Sequence, residues 1–414
     1  MAEPIGRREC IALDDADGLR ALRDRFVIPD GVTYLDGNSL GALPRHVPER
    51  LKRVIEDEWG RGLIRSWNDA GWIGAARRTG ARIAALIGAD ADEVTVADST
   101  SVNLFKLLVA AMRANPGRNV LLTQHGNFPT DLYVAQGVAE LVGAQLRHAG
   151  LDPASVLDAL DDRVAVLALT HVDFRSGRIL PMREITAAAH AAGALTLWDL
   201  SHSAGALHLD LGAASADLAV GCGYKYLNGG PGAPAYSFVA RRLQQALRQP
   251  LTGWLGHADP FAFCEGYAPA PGIDRMQCGT PPMLSLLALE SALDVFDGVD
   301  IAALRAKSVA LSELFIRLAD TTLEAHGFEL LSPRDAPIRG SQVSLTHPQG
   351  YAIMQALIGR GIIGDFRAPD ILRFGLAPLY VRFVDVFDTV EAIGSIMRGG
   401  EWNRPQHLSR KPVT

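Results

Sequence analysis

The sequence has few cysteines and lacks the short motifs of several common cofactor and metal sites. Its four cysteines show no CxxC spacing and are too sparse for a disulfide framework in a chain of 414 residues. The motifs GxGxxG, GxxxxGK[ST] and HExxH are missing. The chain therefore shows no dinucleotide-binding, P-loop or zinc-protease signature, and we expect reduced thiols and no metal.

Long apolar runs and an excess of one charge are also missing. No window of about 18 residues is apolar and free of charge, which argues against a membrane-spanning helix. The first 26 residues carry acids and bases throughout, unlike a secretory signal peptide. The formal net charge is only −6, and Lys and Arg are dispersed along the chain. We expect a cytoplasmic protein that binds neither membranes nor nucleic acid.

What the chain does contain is an alternation of short apolar runs with amphipathic segments, from about residue 92 to residue 240. Unbroken apolar runs are typical of parallel strands that are buried on both faces. The segments between them predict helices, for example over 102–112, 130–141 and 182–192. The expected fold class is α/β, with a mainly parallel sheet flanked by helices.

The C-terminal part has a different pattern. A long helix is predicted over 301–326 and a last helix over 384–397, with short runs between them that suggest antiparallel strands. We expect an N-terminal segment (1–45) that packs on the small domain, a large cofactor-binding domain (46–290) and a small α+β domain (291–414).

The residues just after each apolar run are the first candidates for a binding site, because ligands in open α/β sheets bind at the carboxyl ends of strands. One run ends in "DSTS", where the hydroxyls of Thr100 and Ser101 at a helix N-terminus would suit a phosphate. Ordinary helix capping explains them as well. Another run leads into "NFPTD", where Phe128 could stack on a flat cofactor and Asp131 could cap the helix or bind the cofactor. Core packing and capping are the alternative there.

Two further strand ends carry opposite charges. Asp199 ends the run "ALTLWD", and His202 follows it closely. A buried carboxylate is costly unless a cation or proton donor faces it. Lys225 ends the next apolar run, about one strand-helix-strand unit later. Such a lysine forms a Schiff base with an aldehyde cofactor when its surroundings lower its pKa, whereas an isolated lysine there is normally a solvated loop residue.

Together, the four strand ends supply the parts of a pyridoxal 5'-phosphate site. These parts are a phosphate cradle, an aromatic ring for stacking, a carboxylate for the pyridine nitrogen and a lysine for the aldehyde. The alternatives explain each residue singly but not the conjunction. The order along the chain matches the aspartate-aminotransferase-like fold, which is fold type I of the pyridoxal phosphate enzymes.

The sequence also resembles the bacterial-type kynureninases along essentially its whole length. The most specific matches are "NFPTD" (127–131), "YKYLNGGPG" (224–232) and "RFGLAPLY" (373–380). Other matching stretches are "YLDGNSLGALP" (34–44), "GLIRSWNDAGW" (62–72), "DSTSVNLFK" (98–106), "LTHVDFRSG" (169–177), "WDLSHSAGA" (198–206), "GWLGH" (253–257) and "CGTPP" (278–282).

The resemblance implies a fold and a reaction. The fold would be that of fold type I, with a mainly parallel seven-stranded sheet in the large domain. The reaction would be the hydrolysis of L-kynurenine to anthranilate and L-alanine in tryptophan catabolism. Whether 3-hydroxy-L-kynurenine is also a substrate stays open. The resemblance further implies a homodimer with shared active sites, in which Trp254 and Thr280 could come from the neighbouring chain.

The resemblance also assigns roles to individual residues. Lys225 would carry the cofactor, Asp199 would hold its pyridine nitrogen, and Thr100, Ser101 and Tyr224 would hold its phosphate with the help of Trp254 and Thr280. Because Tyr224 is adjacent to Lys225, we also expect it to relay protons in catalysis. Arg373 would bind the substrate α-carboxylate as a bidentate pair, and Trp67 would contact the aminophenyl group. The implied cofactor-binding residues are Thr100, Ser101, Phe128, Asp131, Thr170, Asp199, His202, Tyr224, Lys225, Trp254 and Thr280.

Several alternatives stay open at this point. Trp67 and Trp254 could be core or interface aromatics, and Arg373 could form a structural ion pair. A cysteine desulfurase-like lyase would need a nucleophilic cysteine on a mobile loop, and Cys222 lies too close to Lys225 in sequence to serve easily. A noncatalytic module with the same fold would be free to lose its lysine, aspartate or arginine, and this chain has all three.

Overall fold

The computed structural model describes residues 5–411 as a chain of helices, strands and short 3-10 turns. None of its helices combines the length and the apolar character needed to cross a bilayer. The α-helices are α1 (Arg7–Ala16), α2 (Val47–Arg53), α3 (Ser66–Asp69), α4 (Ala75–Ile87), α5 (Thr100–Ala114), α6 (Pro129–Val142), α7 (Pro153–Asp158), α8 (Met182–Ala191), α9 (Arg241–Gln244), α10 (Met283–Ala292), α11 (Ile301–Thr322), α12 (Gly350–Gly359), α13 (Phe383–Gly399) and α14 (Pro405–Leu408). The strands are β1 (Phe26–Val27), β2 (Thr33–Tyr34), β3 (Leu43–Pro44), β4 (Val94–Val96), β5 (Val120–Gln124), β6 (Gln145–Ala149), β7 (Val164–Thr170), β8 (Leu195–Asp199), β9 (Leu218–Gly221), β10 (Tyr236–Val239), β11 (Glu329–Leu330), β12 (Gln342–Thr346), β13 (Ile362–Ile363), β14 (Asp365–Arg367) and β15 (Ile371–Gly375).

The central element is a seven-stranded sheet with the order β4-β10-β9-β8-β7-β5-β6. Its strands run parallel except β10, which pairs antiparallel with both β4 and β9. Strand β7 is buried along its whole length because helices cover both faces of the sheet. The predicted α/β fold with a mainly parallel seven-stranded sheet is therefore confirmed.

The apolar runs located most of this sheet, but not its edge. Strand β6 reads "QLRHA", and most of its residues are partly exposed. An edge strand with polar positions has no continuous apolar run, so the apolar pattern of the sequence does not predict β6. The helices predicted over 102–112, 130–141 and 182–192 correspond to α5, α6 and α8, each to within a few residues at either end.

The strand directions position the functional residues. Strands β4, β5, β7, β8 and β9 all run the same way, so their carboxyl ends lie at one edge of the sheet. The segments that leave this edge contain residues 97–101, 125–131, 171–174, 200–203 and 222–225. Residues that are up to 128 positions apart in sequence therefore meet in one place.

A second sheet has the antiparallel order β11-β12-β15-β14 and packs with α11 and α12, and α13 packs on these two helices. The helix predicted over 301–326 is divided, because α11 ends at Thr322 and a 3-10 turn covers Glu324–His326. N-terminal residues contact this part of the chain. Asp14 accepts hydrogen bonds from the first backbone N–H groups of α13, and β2 pairs with β13.

The segment after β2 also reaches the central sheet. Asp36 forms a β-bridge with Gly375, and the backbone N–H of Gly41 donates to the carbonyl of Tyr224 at 2.7 Å. A Cβ atom on Gly41 would lie only 2.3 Å from the carbonyl oxygen of Lys225, so this close approach requires glycine. The N-terminal segment thus contacts both the strand of Arg373 and the loop of Lys225.

Candidate active site

A cavity of about 250 Å³ lies at the carboxyl ends of the parallel strands. Every predicted site residue lines its wall except Trp67, Trp254, Thr280 and Arg373. The full lining is Thr100, Ser101, Phe128, Thr130, Asp131, Thr170, Phe174, Asp199, Ser201, His202, Tyr224 and Lys225. Three larger cavities elsewhere in the described chain lack this convergence of lysine, carboxylates and a helix N-terminus.

One end of the cavity is suited to an anion. Helix α5 begins at Thr100, and the Ser99 side chain caps it by accepting a hydrogen bond from Val102 N at 3.4 Å. Thr100 and Ser101 therefore present hydroxyls beside the first backbone N–H groups of a 15-residue helix. The helix dipole and these donors favour a phosphate group at this position.

The opposite wall holds two carboxyl groups, those of Asp199 and Asp131. Asp199 accepts a hydrogen bond from Ser201 N at 2.7 Å, and Asp131 accepts one from Thr170 Oγ1 at 3.2 Å. Burial and the neighbouring Asp199 carboxyl raise the pKa of Asp131 well above its ordinary value. Asp131 therefore holds its proton more tightly than an exposed aspartate does, which opposes the formation of two adjacent buried negative charges.

Lys225 faces the aromatic side of the cavity. Its Nζ lies 5.8 Å from the centroid of the Phe128 ring, and the residue is half-buried. The buried lysines Lys106 and Lys307 are instead each paired with an aspartate at 2.7 Å. Lys225 is thus a lysine that an incoming carbonyl compound can reach.

His202 and Tyr224 complete the polar lining. Burial, together with the charge of Lys225, lowers the pKa of His202 well below its ordinary value, so the ring is neutral. Its Nδ1 is buried without a hydrogen-bond partner among residues 5–411. Burial raises the pKa of Tyr224, with contributions from Cys222 and Asp199, so its hydroxyl remains a proton donor.

These groups fit pyridoxal phosphate. An unpartnered buried ring nitrogen on His202 awaits a polar ligand atom. The start of α5 suits the phosphate, Asp199 suits a protonated pyridine nitrogen, and Lys225 suits the aldehyde. The predicted cofactor site therefore has its required groups in one cavity.

Arg373 lies behind the cavity wall rather than in it. Its buried guanidinium donates from Nη1 to the carbonyl of Phe174, a lining residue, at 2.6 Å. Its Nε and Nη2 bind both carboxylate oxygens of Asp365, and Nη2 also donates to Ser39 Oγ at 3.1 Å. Arg373 thus forms an internal ion pair with Asp365. Its other edge, formed by Nη1 and Nη2, could bind a second carboxylate in a bidentate pair only if Ser39 moved away from Nη2.

The three other outlying residues lie on a different surface. The rings of Trp67 and Trp254 meet edge to face with centroids 6.1 Å apart, and Thr280 is exposed. None of the three lines the cavity of its own chain. Their predicted contacts with cofactor or substrate stay predictions.

Three lining residues were not predicted. Thr130 and Ser201 are adjacent in sequence to the predicted residues Asp131 and His202, in "NFPTD" and "WDLSHS". Their polar side chains near a strand end are the sequence signal that indicates them. Phe174 lies on the loop after β7, and its sequence position gives no such signal. Two histidines near strand ends do not line the cavity: buried His171 bonds Ser203 Oγ at 2.9 Å, and exposed His125 stacks on His148.

Comparison with known proteins gives a consistent result over the whole chain. Residues 304–393 match the family model described as the kynureninase C-terminal domain. The chain is 51% identical over 413 residues to the kynureninase of Burkholderia mallei (strain ATCC 23344), covering 99% of each chain. It is 49% identical over 414 residues to the kynureninase of Pseudomonas fluorescens, again covering 99% of each.

Solved structures show the same fold at much lower identity. A mutant of C-DES with glycine linked to its pyridoxal phosphate cofactor superposes with a TM-score of 0.79 at 19% identity, covering 90% of this chain and 98% of that one. A cysteine desulfurase from Thermococcus onnurineus NA1 superposes with a TM-score of 0.78 at 18% identity, covering 91% and 98%. At this identity the likeness shows the fold alone.

The protonated state of Asp131 predicts a pH-dependent stability change. Above the ordinary pKa of an aspartate, the unfolded chain releases this proton while the folded chain keeps it, so Asp131 lowers the free energy of unfolding as pH rises. Asp131→Asn should therefore stabilise the cofactor-free protein at pH 7, and the gain should vanish near about pH 4. Urea unfolding at several pH values measures this difference.

Asp152 provides a control of opposite sign. Hydrogen bonds from Ser155 lower the pKa of this exposed helix cap, so its carboxylate favours the folded state above that pKa. Asp152→Asn should lose stability at pH 7 and regain it in acid. A stability difference for Asp131→Asn that is independent of pH would refute the protonated assignment.

Proposed function

The chain belongs to the kynureninase family, and on that premise we propose that it hydrolyses the Cβ–Cγ bond of L-kynurenine to give anthranilate and L-alanine. The observation that carries the proposal is the cavity in which Lys225, Asp199 and the start of α5 converge, within a chain that matches kynureninases over its full length. A desulfurase reaction is not favoured, because the relatives at about 50% identity are kynureninases and Cys222 is buried, with its Sγ 3.9 Å from the carbonyl oxygen of Ser201.

The cofactor of this family is pyridoxal 5'-phosphate, which when bound withdraws electrons from the α-carbon of an amino-acid substrate. Thr100, Ser101 and Tyr224 would hold its phosphate, with Trp254 and Thr280. Asp199 would keep a proton on its pyridine nitrogen, and Phe128 would lie on its ring. Thr170, Asp131 and His202 would complete the pocket.

Lys225 would have a second task as a base. It lines the same cavity, and its free amine would remove the Cα proton of a bound substrate. Tyr224 is adjacent in sequence and lines the same wall. Because its pKa is raised, its hydroxyl can donate a proton to the oxygen that becomes negative when water attacks the γ-carbonyl.

Arg373 would bind the substrate α-carboxylate. Asp365 fixes its Nε and Nη2 edge, which orients the remaining edge of the guanidinium beside Phe174. Arg367 pairs with the same Asp365 at 2.8 Å, so the cluster holds two cations beside Asp365 and the nearby Asp36, whose pKa is raised to about 7. That balance favours an incoming carboxylate.

The aminophenyl end requires a second copy of the chain in our proposal. Trp67, Trp254, Phe261 and Phe263 form a series of edge-to-face contacts, and we call these four residues the aromatic patch. Phe263 is 84% exposed. An exposed apolar patch of this kind is typical of an interface, and a homodimer would bring Trp67, Trp254 and Thr280 to the partner's cavity. The relative kcat/KM values of kynurenine and its 3-hydroxy derivative would then report on this end of the site.

We also propose that the protein is cytoplasmic and that the chain divides into an N-terminal segment, a large domain and a small domain. All four cysteines lie within the described residues and are unpaired, which suits the cytoplasm. The contacts of α1 with α13 and of β2 with β13 support an N-terminal segment that packs on the small domain. The proposed N-terminal segment ends at residue 45, and the proposed large domain ends at residue 290.

Replacing Lys225 tests the function directly. Lys225→Ala should remove the visible absorption of the cofactor-loaded protein and lower the rate of anthranilate formation by about a thousandfold or more, because both cofactor attachment and the base are lost. Absorption spectra and anthranilate fluorescence measure the two effects. Lys52→Ala, at an exposed position, is the matched control. A variant at Lys225 that retains turnover would overturn the proposal.

Arg373→Lys tests the carboxylate role. A lysine cannot reproduce the two-pronged geometry, so KM for kynurenine should rise about ten- to a hundredfold. Arg367→Lys, which alters the other partner of Asp365 at a more exposed position, should change KM by about twofold or less. Steady-state kinetics decide between them, and an unchanged KM for Arg373→Lys would leave Arg373 a purely structural residue.

Phe263→Asp tests the shared site. A charge in the aromatic patch should dissociate the dimer and abolish turnover, although every residue of the cavity wall is intact. Leu141→Asp, at another exposed apolar position on α6, should leave mass and turnover unchanged. Sedimentation together with the anthranilate assay measures both. A fully active monomer would contradict the shared site.

A further inference from the structure

Lys106 is a completely buried lysine that the proposed reaction does not use. Its side chain is 0% exposed, and it lies two turns into α5. A buried ammonium is tolerated only when its protons are satisfied by strong acceptors. Nζ donates to Asp98 Oδ2 at 2.7 Å and to the backbone carbonyl of Met276 at 2.7 Å.

The first partner, Asp98, forms the turn between β4 and α5. Its φ of +53° is in the left-handed region, which residues other than glycine adopt only where surrounding contacts hold them. Asn103 Nδ2 also holds this turn by donating to the carbonyl of Ala97 at 2.7 Å. The conformation of Asp98 decides where Thr100 and Ser101 begin the helix.

The second partner, Met276, ends the 3-10 turn Gly272–Met276. The chain then continues through Cys278 to Thr280, which in the proposed homodimer would lie at the phosphate in the partner's cavity. A single ammonium group therefore ties together two segments that are far apart in sequence and that both lead to phosphate-binding positions.

We propose that Lys106 is a positioning residue for the cofactor phosphate, which sets the strand-to-helix turn at Asp98 and anchors the segment that leads to Thr280. The inference rests on the proposed function only in that the phosphate belongs to pyridoxal phosphate. Lys106 does not line the cavity, so it acts through Asp98 and Met276 rather than by touching the cofactor.

The pairing indicates that Lys106 acts through geometry rather than through its charge. Asp98 neutralises the ammonium at hydrogen-bond distance, so the pair as a whole carries no net charge toward the phosphate. The hydrogen bonds, in contrast, fix two backbone segments in place.

The experiment compares Lys106→Met with Lys307→Met. Lys307 forms an equally short ion pair with Asp17, with side chains only 6% and 8% exposed, and it lies on α11. Both variants lose a buried Lys–Asp pair and should lose comparable stability in urea. The dissociation constant of pyridoxal phosphate, measured by visible absorption and tryptophan fluorescence on cofactor-free protein, should rise about ten- to a hundredfold only in Lys106→Met, the range found when residues supporting a ligand site are removed. Equal dissociation constants in the two variants would overturn the proposal.

Two variants of Asp98 keep the test decisive if Lys106→Met fails to fold. Asparagine tolerates the left-handed conformation and can accept the same hydrogen bond, so Asp98→Asn should bind the cofactor within about threefold of the unchanged protein. Asp98→Ala removes the acceptor and should bind as weakly as Lys106→Met. If the charge of Lys106 attracted the phosphate, Asp98→Asn would bind more tightly, which would contradict the positioning role.

These measurements need no kynurenine, so they separate this inference from the proposed function. A protein that binds pyridoxal phosphate as described but forms no anthranilate would refute the proposed reaction and leave the role of Lys106 intact. Unaltered cofactor binding in both Lys106→Met and Asp98→Ala would refute that role whatever the reaction.

Discussion

The structure depends on the collection of buried charges at one edge of a parallel sheet. Because β4, β5, β7, β8 and β9 all end there, their polar side chains cannot be solvated separately and must satisfy one another. Asp131 retains its proton beside Asp199, and His202 stays neutral near Lys225. The protonation states that suit the proposed chemistry therefore follow from burial and proximity.

A second charge cluster joins the N-terminal segment to the small sheet. Asp365 pairs with both Arg373 and Arg367, and Ser39 donates to Asp365 at 2.7 Å. Burial and the nearby Asp365 raise the pKa of Asp36 to about 7, so this cluster gains or loses a proton near neutral pH. The same segment touches the Lys225 loop through Gly41. The two halves of the proposed site, for cofactor and for substrate carboxylate, are thus held in register by residues 36–41.

The sequence allowed much of this to be predicted where a local pattern carried the information. Examples are the buried run of β7, the hydroxyls at the start of α5 and the lysine that follows the apolar run of β9. Long-range pairings could not be predicted in this way. Asp365 of β14 and Arg373 of β15 lie directly opposite each other on the two paired strands. Strands this short leave no local pattern in the sequence that would predict their pairing. The sequence likewise cannot show that Lys106 reaches Met276, 170 residues away.

The proposed function requires that Lys225 carries the cofactor in the cavity at the carboxyl ends of the strands. Borohydride reduction of the cofactor-loaded protein, followed by mass mapping of its peptides, tests this requirement most directly. We expect a pyridoxyl phosphate adduct on the peptide that contains Lys225, with complete loss of anthranilate formation. An adduct on another lysine such as Lys106, or a reduced protein that still forms anthranilate, would contradict it.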